Sequence, residues 1–358
     1  MAISSGVTTL LPKAHIESVQ SISPFKITDP RPTLAVSAAD PISLGIFQNC
    51  LHILLYYTKA TQEDSSWLHA GWIKESLSRA LVEQPLFAGR FRVNDSGELE
   101  VVANDSGIRL IEARTPMTMA EFLSYKSSRE DAEDELVFWK TIDEHSPQYS
   151  PLFYVQVTYF QCGGSSLGIS CSVLLADLLF KENFLKKWAN IHHNLLSDKS
   201  LTVTPFYNFR HVGKNGKSAN NIFVSIPSKK CGKTMIFNVA AENVDSENDD
   251  ALKICVEEAE SKYGFGKLFV KINSSSCSAV KVENFRKEGL AKPKIKGIAE
   301  AGWDFFGAKE VGFREGNKPA SVSYWFGFIS GGVVMAVPSS ADREGAYSVI
   351  VTVPNLED

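Results

Sequence analysis

The stretch Gly163–Asp177, GGSSLGISCSVLLAD, runs straight into LLFKENFLKKWANIHHNLL over residues 178–196. Leu167 to Ser172 reads as a buried strand. With Phe153–Phe160 (FYVQVTYF) and the turn Cys162-Gly163-Gly164-Ser165 it makes a buried hairpin. A short turn carrying Asp177 follows, then a helix from Leu178 to Leu196. Within it Phe180, Phe184, Trp188, Ile191 and Leu195 recur at spacings of 4, 4, 3 and 4, the period of one helical face. Asp177 stands one residue before that helix, where a carboxylate caps free N–H groups, so its role is structural. A buried hairpin feeding an amphipathic helix indicates an α/β protein.

Working outward in both directions, the elements alternate without a strict βαβ order. Val7–Leu11 reads as an early strand and Pro41–Tyr57 as a helix. Leu68–Gln84 is a clearer helix, with Ile73, Leu77, Ala80 and Leu81 on one face, and Pro85 stops it. Strands follow at Leu99–Ala103 and Ile108–Glu112 around the turn Asn104-Asp105-Ser106-Gly107, then a short helix at Met117–Lys126. Composition shifts to Lys, Ser, Gly and Asn over residues 197–233, the pattern of a linker. Beyond it come a strand (Met235–Ala240), an acidic-faced helix (Asp249–Tyr263) and several strands, the last at Tyr347–Val353. The organisation expected is a first domain over 1–196, a crossover linker over 197–233 and a second domain over 234–358, with mixed sheets.

Composition excludes several classes. The 358 residues are 44% hydrophobic and 22% charged, which is globular composition; at roughly 150 residues per domain they suggest two domains. Against 37 basic residues stand 41 acidic ones, a net charge of −4, so nothing favours a nucleic-acid backbone as partner. The apolar run Leu44–Tyr57 is interrupted by Gln48, Asn49 and His52 and is too short to span a bilayer, so no transmembrane segment is expected. The opening residues lack the apolar core of a secretory signal. A cytoplasmic protein follows, in which the six scattered cysteines are free thiols and the sequons at Asn94, Asn104 and Asn273 stay unmodified.

Motif-like stretches resolve into ordinary structure. Gly213–Ser218 (GKNGKS) has His211 where a phosphate-binding loop needs its first glycine, and belongs to the linker. His192 and His193 are helix neighbours about 100° apart and cannot share a metal, and no metal site is expected. Asp245, Glu247, Asp249 and Asp250 suit a helix N-terminus, while Glu257, Glu258 and Glu260 read as a solvated face.

The ordered set of motifs resembles the plant BAHD acyltransferases. Val36–Asp40 (VSAAD) is similar to that family's early L-S-x-x-D element, and Leu77-Ser78 through Pro85–Arg92 (PLFAGRFR) to its "L-S-x-x-L…P-L-A-G-R" helix and turn. Gly97–Glu100 and Asn104–Ile108 continue the pattern, and Val333–Val353 is similar to its closing hairpin. The resemblance implies a two-domain, chloramphenicol-acetyltransferase-like fold and an acyl-CoA-dependent transferase. In it, the histidine of an HxxxD motif deprotonates the acceptor.

This chain departs from that pattern where the chemistry lies. Four residues before Asp177 stands Val173, and a one-residue slip gives Ser172; neither is a general base, whose loss typically costs about 10²–10⁴ in rate. The family's D-F-G-W-G element falls on Gly312–Gly316, where Phe313 and Gly316 alone survive; a second register, through Asp304–Gly307, loses the downstream Lys318-Pro319 match. The interval from Asp177 to Gly312 is 135 residues, several dozen fewer than the resemblance implies, so a shortened second domain is expected.

Cys255–Glu260 and Trp303–Lys318 are similar to the eceriferum/Glossy wax-elongation branch. That likeness implies an accessory, non-catalytic role in very-long-chain lipid and wax metabolism, with a fatty-acid elongase condensing enzyme as partner, at the endoplasmic reticulum surface. No catalytic residue and no cofactor is then expected; acyl-CoA or a small hydrophobic molecule is the ligand, in a candidate pocket at Asp40, Cys171 and Ser172. Two alternatives stay open: acyl-CoA-dependent O- or N-acyl transfer by a non-standard route, and a lyase of specialised metabolism.

Overall fold

The computed structural model describes residues 14–38, 45–59, 66–197, 232–240, 250–264, 269–276, 279–285, 297–327, 331–338 and 347–355. In chain order the elements are β1 (His15–Ile22), β2 (Thr33–Ala38), β3 (Cys50–Tyr57), α1 (Ser66–Glu83), β4 (Arg90–Val93), β5 (Leu99–Val102), β6 (Ile108–Arg114) and α2 (Met119–Lys126). Then come β7 (Phe153–Tyr159), β8 (Ser165–Ser172), α3 (Ala176–Lys181), α4 (Phe184–Ser197), β9 (Gly232–Val239) and α5 (Asp250–Tyr263). The chain closes with β10 (Phe269–Ser276), β11 (Ala279–Phe285), β12 (Ile298–Ala301), β13 (Ser321–Gly327), β14 (Gly332–Pro338) and β15 (Tyr347–Pro354).

Two mixed sheets organise these strands. One has six, in the order β1-β6-β7-β8-β3-β13; the other has nine, in the order β12-β9-β15-β14-β10-β11-β2-β5-β4. β6 and β7 are parallel, as are β10 with β14 and β11 with β2; the remaining pairs are antiparallel. Each sheet takes strands from both ends of the chain. β2, β4 and β5 sit among the late strands, and β13 pairs with β3 through Ser321↔Tyr56 to Gly327↔Cys50.

The main core lies against both sheets, α1 and α4. Leu51, Ile53, Val155 and Ile169 contribute from one sheet and Val36, Ile272 and Met335 from the other; Ile73, Leu77, Phe184 and Trp188 come from the helices. The outer face of each sheet is also covered. α5 packs Leu252, Cys255 and Val256 on Phe237 and Val351, and α2 packs Met119 and Phe122 on Leu54 and Tyr56.

This double covering corrects the helix expected over Pro41–Tyr57. Residues 50–57 are strand β3, and all eight are buried. A strand apolar on both faces loses its two-residue alternation, so periodicity cannot separate it from a buried helix. The helix expected over 178–196 is two helices. Asn183 takes φ 52° between α3 and α4, a left-handed position that asparagine tolerates, and its carbonyl accepts the Lys187 N–H of the new helix at 3.0 Å. Asp177 is correspondingly in the first turn of α3, behind a 3-10 turn at Val173–Leu175, rather than at a cap. Glu260, expected on a solvated face, is buried at 4% exposure, whereas Glu257 and Glu258 are exposed.

The helix Leu68–Gln84, the hairpin of β7 and β8, the helix Asp249–Tyr263 and the closing β14–β15 hairpin form as expected, to within a few residues. Val7–Leu11, GKNGKS and most of 197–233 lie outside the described residues.

The PLFAGR segment shows why its residue types are needed. Pro85–Ala88 is a 3-10 turn leading to β4, and a Cβ on Gly89 would come within 2.5 Å of the Val102 carbonyl. The buried Arg90 guanidinium donates to the carbonyls of Gly89 (2.7 Å), Ser106 (3.2 Å) and Gly107 (2.8 Å). It thereby pins the point where the chain leaves β5 in one sheet for β6 in the other.

Candidate functional site

Strand β8 ends on the residues that the motif comparison singled out. Cys171 and Ser172 are 0% exposed and Val173 is 1% exposed; Leu174 and Leu175 beside them are also sealed. β8 is paired on both sides, with Cys50↔Ser172 toward β3 and Phe153↔Cys171 toward β7. The Ser172 amide donates to Leu152 O at 2.9 Å and the Val173 amide to Asn49 O at 3.3 Å, which closes the strand end. The Cys171 thiol donates to Ser172 O at 3.3 Å, and burial, with the charge of Asp177 second, pushes its pKa well up. A protonated, unexposed thiol is no nucleophile. Asp177 is 5% exposed, and Asp40 lies outside the described residues.

The second motif folds as a tight turn. The Asn317 amide donates to Arg314 O at 3.1 Å, and Gly316 takes φ +71°, which favours glycine. Its surviving Phe313 is 4% exposed and meets three rings: Trp188 at 4.8 Å, His192 at 5.3 Å and Tyr57 at 5.9 Å between centroids. The turn is thereby anchored on α4 and β3. In the other register, Trp303–Phe306 is a 3-10 turn whose Phe306 packs on Phe180 at 4.1 Å.

A cavity of about 390 Å³ opens beside this turn, at the opposite end of β8. Its walls come from the end of β3 (Tyr57–Lys59), α1 (His69, Ile73), the end of β6 (Arg114), β7 (Val157, Tyr159), the start of β8 (Ser165–Leu167), and Phe313, Arg314 and Asn317. Neither Cys171 nor Ser172 lines it. At about 3.3 Å per strand residue, Leu167 and Ser172 are about 17 Å apart along β8.

Polar groups at the cavity are held by specific contacts. The Tyr57 hydroxyl donates to Val311 O at 2.8 Å; burial raises its pKa well above the usual value and likewise that of Tyr159. Arg114 pairs with Glu17 at 2.7 Å and lies over the Tyr159 ring at 5.3 Å. The His69 ring meets Tyr159 edge-on at 6.0 Å and His192 at 6.4 Å. His192 is 1% exposed, with Nδ1 3.0 Å from the Ser76 hydroxyl, which also accepts from Trp188 Nε1 at 2.9 Å. Burial holds its pKa well below the usual value, and the charges of His69 and Arg314 push the same way, so its ring is neutral.

One further cluster has the residue types of a nucleophile and base. His52 Nδ1 lies 2.7 Å from Ser170 Oγ, and its Nε2 lies 3.1 Å from Cys50 Sγ. All three are 0% exposed, His52 packs on Trp325 at 5.0 Å, and burial lowers its pKa to about 3. The cluster is interior packing of the six-stranded sheet. Among the described residues no group of three or more His, Cys, Asp or Glu side chains could hold a metal ion.

Motif reading had reached Phe313, Arg314 and His192 but not the cavity. Lys59, His69, Arg114 and Tyr159 carry no signal in their own neighbourhoods, because segments from residue 57 to 317 converge only in three dimensions.

Two mixed sheets with helices on their faces define an α/β protein, and sequence comparison supplies the family. A profile of the Transferase family matches residues 13–285, and the chain belongs to this family, that of the BAHD acyltransferases. The matched span ends before Gly312. Among curated relatives, "Protein ECERIFERUM 26-like" of Arabidopsis thaliana is 28% identical over 148 residues, 41% of this chain and 34% of that protein. "Hydroxycinnamoyltransferase" of Narcissus pseudonarcissus is 30% identical over 156 residues, 42% of this chain and 33% of that protein. The matched part thus spans about a third of each relative's length. Vinorine synthase aligns over 97% of this chain and 95% of its own, with a TM-score of 0.47 and 15% identity.

Proposed function

We propose that this chain is a BAHD-family protein that has given up acyl transfer at its HxxxD position and serves an accessory, binding role in very-long-chain lipid and wax metabolism. The reading rests on one observation above all. Counted back from Asp177, the family's general base falls on Val173, at 1% exposure in the main core, or with a one-residue slip on Ser172, which like Cys171 is fully buried. An aliphatic side chain has no proton to exchange, and no acceptor reaches a group without exposed surface. The decay of the second motif to Phe313 and Gly316, both explained by turn geometry and packing, supports the same view.

The likeness to the eceriferum branch, with the ECERIFERUM 26-like relative, points to the pathway. On this reading the partner is a fatty-acid elongase condensing enzyme, and the protein works in the cytoplasm at the endoplasmic reticulum surface. Among the described residues no helix is long and apolar enough to cross a membrane. Acyl-CoA is a ligand and not a substrate. The lyase alternative needs Cys171, Ser172 or Asp177 on a tunnel, and these are 0%, 0% and 5% exposed.

The test has two arms. Purified protein incubated with a panel of acyl-CoAs and a thiol reporter is expected to release no CoA above background. Co-expression with an elongase condensing enzyme is expected to lengthen the fatty-acyl profile. Thiol release at a catalytic rate would overturn the first half of the reading, and an unchanged profile the second.

A further inference from the structure

The cavity at the Ser165 end of β8 combines two properties. Its walls are strongly aromatic, with Tyr57, Tyr159, Phe160 and Phe313 all lining it. Its polar rim is cationic. Lys59, Arg114 and Arg314 are all present, with His69 beside them, and none of the described lining residues is acidic. Glu17, paired with Arg114 at 2.7 Å, holds that guanidinium over the Tyr159 ring. The volume of about 390 Å³ is at the small end of the roughly 300–1,000 Å³ typical of organic-ligand pockets, too small for an entire coenzyme A.

We infer that this cavity is a binding site for a small aromatic monocarboxylate, its ring against the wall formed by Phe313, Tyr57 and Tyr159 and its carboxylate toward Arg314 and Lys59. Like charges gathered at one rim repel one another, and an entering anion relieves that repulsion. A guanidinium gives a carboxylate two parallel hydrogen bonds, which fixes orientation as well as charge. Aromatic walls prefer offset and edge-on ring contacts, the geometry already present between Phe313 and Tyr57 at 79° and between His69 and Tyr159 at 84°. The positive field reaches inward too: the charges of His69 and Arg314 help to keep the buried His192 deprotonated. The site lies about 17 Å along β8 from Ser172. It is therefore independent of whether acyl transfer has been lost.

The test uses the full chain, with 2-naphthoate as probe and 2-naphthylmethanol as its neutral counterpart, in calorimetric or fluorescence titration at low salt. Naphthoate is expected to bind at least about tenfold more tightly than the alcohol, the scale of one charge-assisted hydrogen bond. Arg314→Gln is expected to remove most of that difference by weakening naphthoate alone, and Lys59→Gln to act the same way with a smaller effect. Both side chains reach solvent, and an unchanged melting temperature confirms that the variants fold. Equal affinity for acid and alcohol, no naphthoate binding, or an Arg314→Gln variant that binds naphthoate as wild type does would each overturn the inference. So would inorganic phosphate competing as strongly as naphthoate, which would mark a bare anion site without aromatic recognition.

Discussion

Placing a histidine at position 173 is the sharpest perturbation of the site. If the family's reaction were absent only because Val173 is not histidine, Val173→His would recover it. The packing argues otherwise. Val173 is 1% exposed among Leu174, Leu175 and Leu178, so the larger imidazole has no space; overpacking of this kind costs about 1–3 kcal/mol. A ring N–H buried without a partner costs about another 1–3 kcal/mol. The sum, about 2–6 kcal/mol, is a large part of the roughly 5–15 kcal/mol that holds a domain folded. The imidazole would also be held neutral by burial, as His52 is with its pKa of about 3. The unfolded chain then takes up a proton near pH 6.5 that the folded one refuses, and the deficit grows as pH falls. Between pH 6.5 and 5 this adds roughly 2 kcal/mol. Urea unfolding of wild type and variant from pH 7.5 to 5 measures both effects: a lower midpoint at similar slope, with a gap that widens toward acid. The thiol-release assay on the same samples is expected to stay at background. An unchanged midpoint, or CoA release above wild type, would refute the sealed-core reasoning.

Two further outcomes follow from the same packing. His52 should make the wild-type protein acid-sensitive: with its pKa lowered to about 3, stability is flat above about pH 6.5 and is lost progressively from there to about pH 3, by about 4–5 kcal/mol in all. His52→Gln, followed by urea unfolding across that range, is expected to flatten this part of the profile. Phe313→Ala removes a ring that bridges Trp188, His192 and Tyr57, and is expected to cost about 3–5 kcal/mol and to abolish naphthoate binding; retention of both stability and binding would contradict the role given to that turn.

Much of the local structure was legible through helical period and turn chemistry, even where burial is complete, as along β7 and β8. α1 shows its period through Ile73, Leu77, Ala80 and Leu81, and the β7–β8 hairpin announces itself through its glycine turn. The motif residues VSAAD, PLFAGR and Asp177 located the family, because side chains such as Arg90 are tied to carbonyls whose positions depend on the neighbouring turn. Where neither signal marks the boundary, that legibility ends. β3 is covered on both faces and mimics a helix, and the break at Asn183 is a single backbone angle inside an unbroken amphipathic pattern.

The linear order of residues was enough to establish family and mixed α/β class, since each depends on residue identity at short spacing. Tertiary structure alone decided that Cys171 and Ser172 are interior and that the open cavity is at the other end of the same strand. Burial and convergence are properties of contacts between distant segments. Tyr57, His69, Arg114, Tyr159 and Arg314 come to line one cavity only when the six-stranded sheet, α1 and the turn at Phe313–Asn317 close around them.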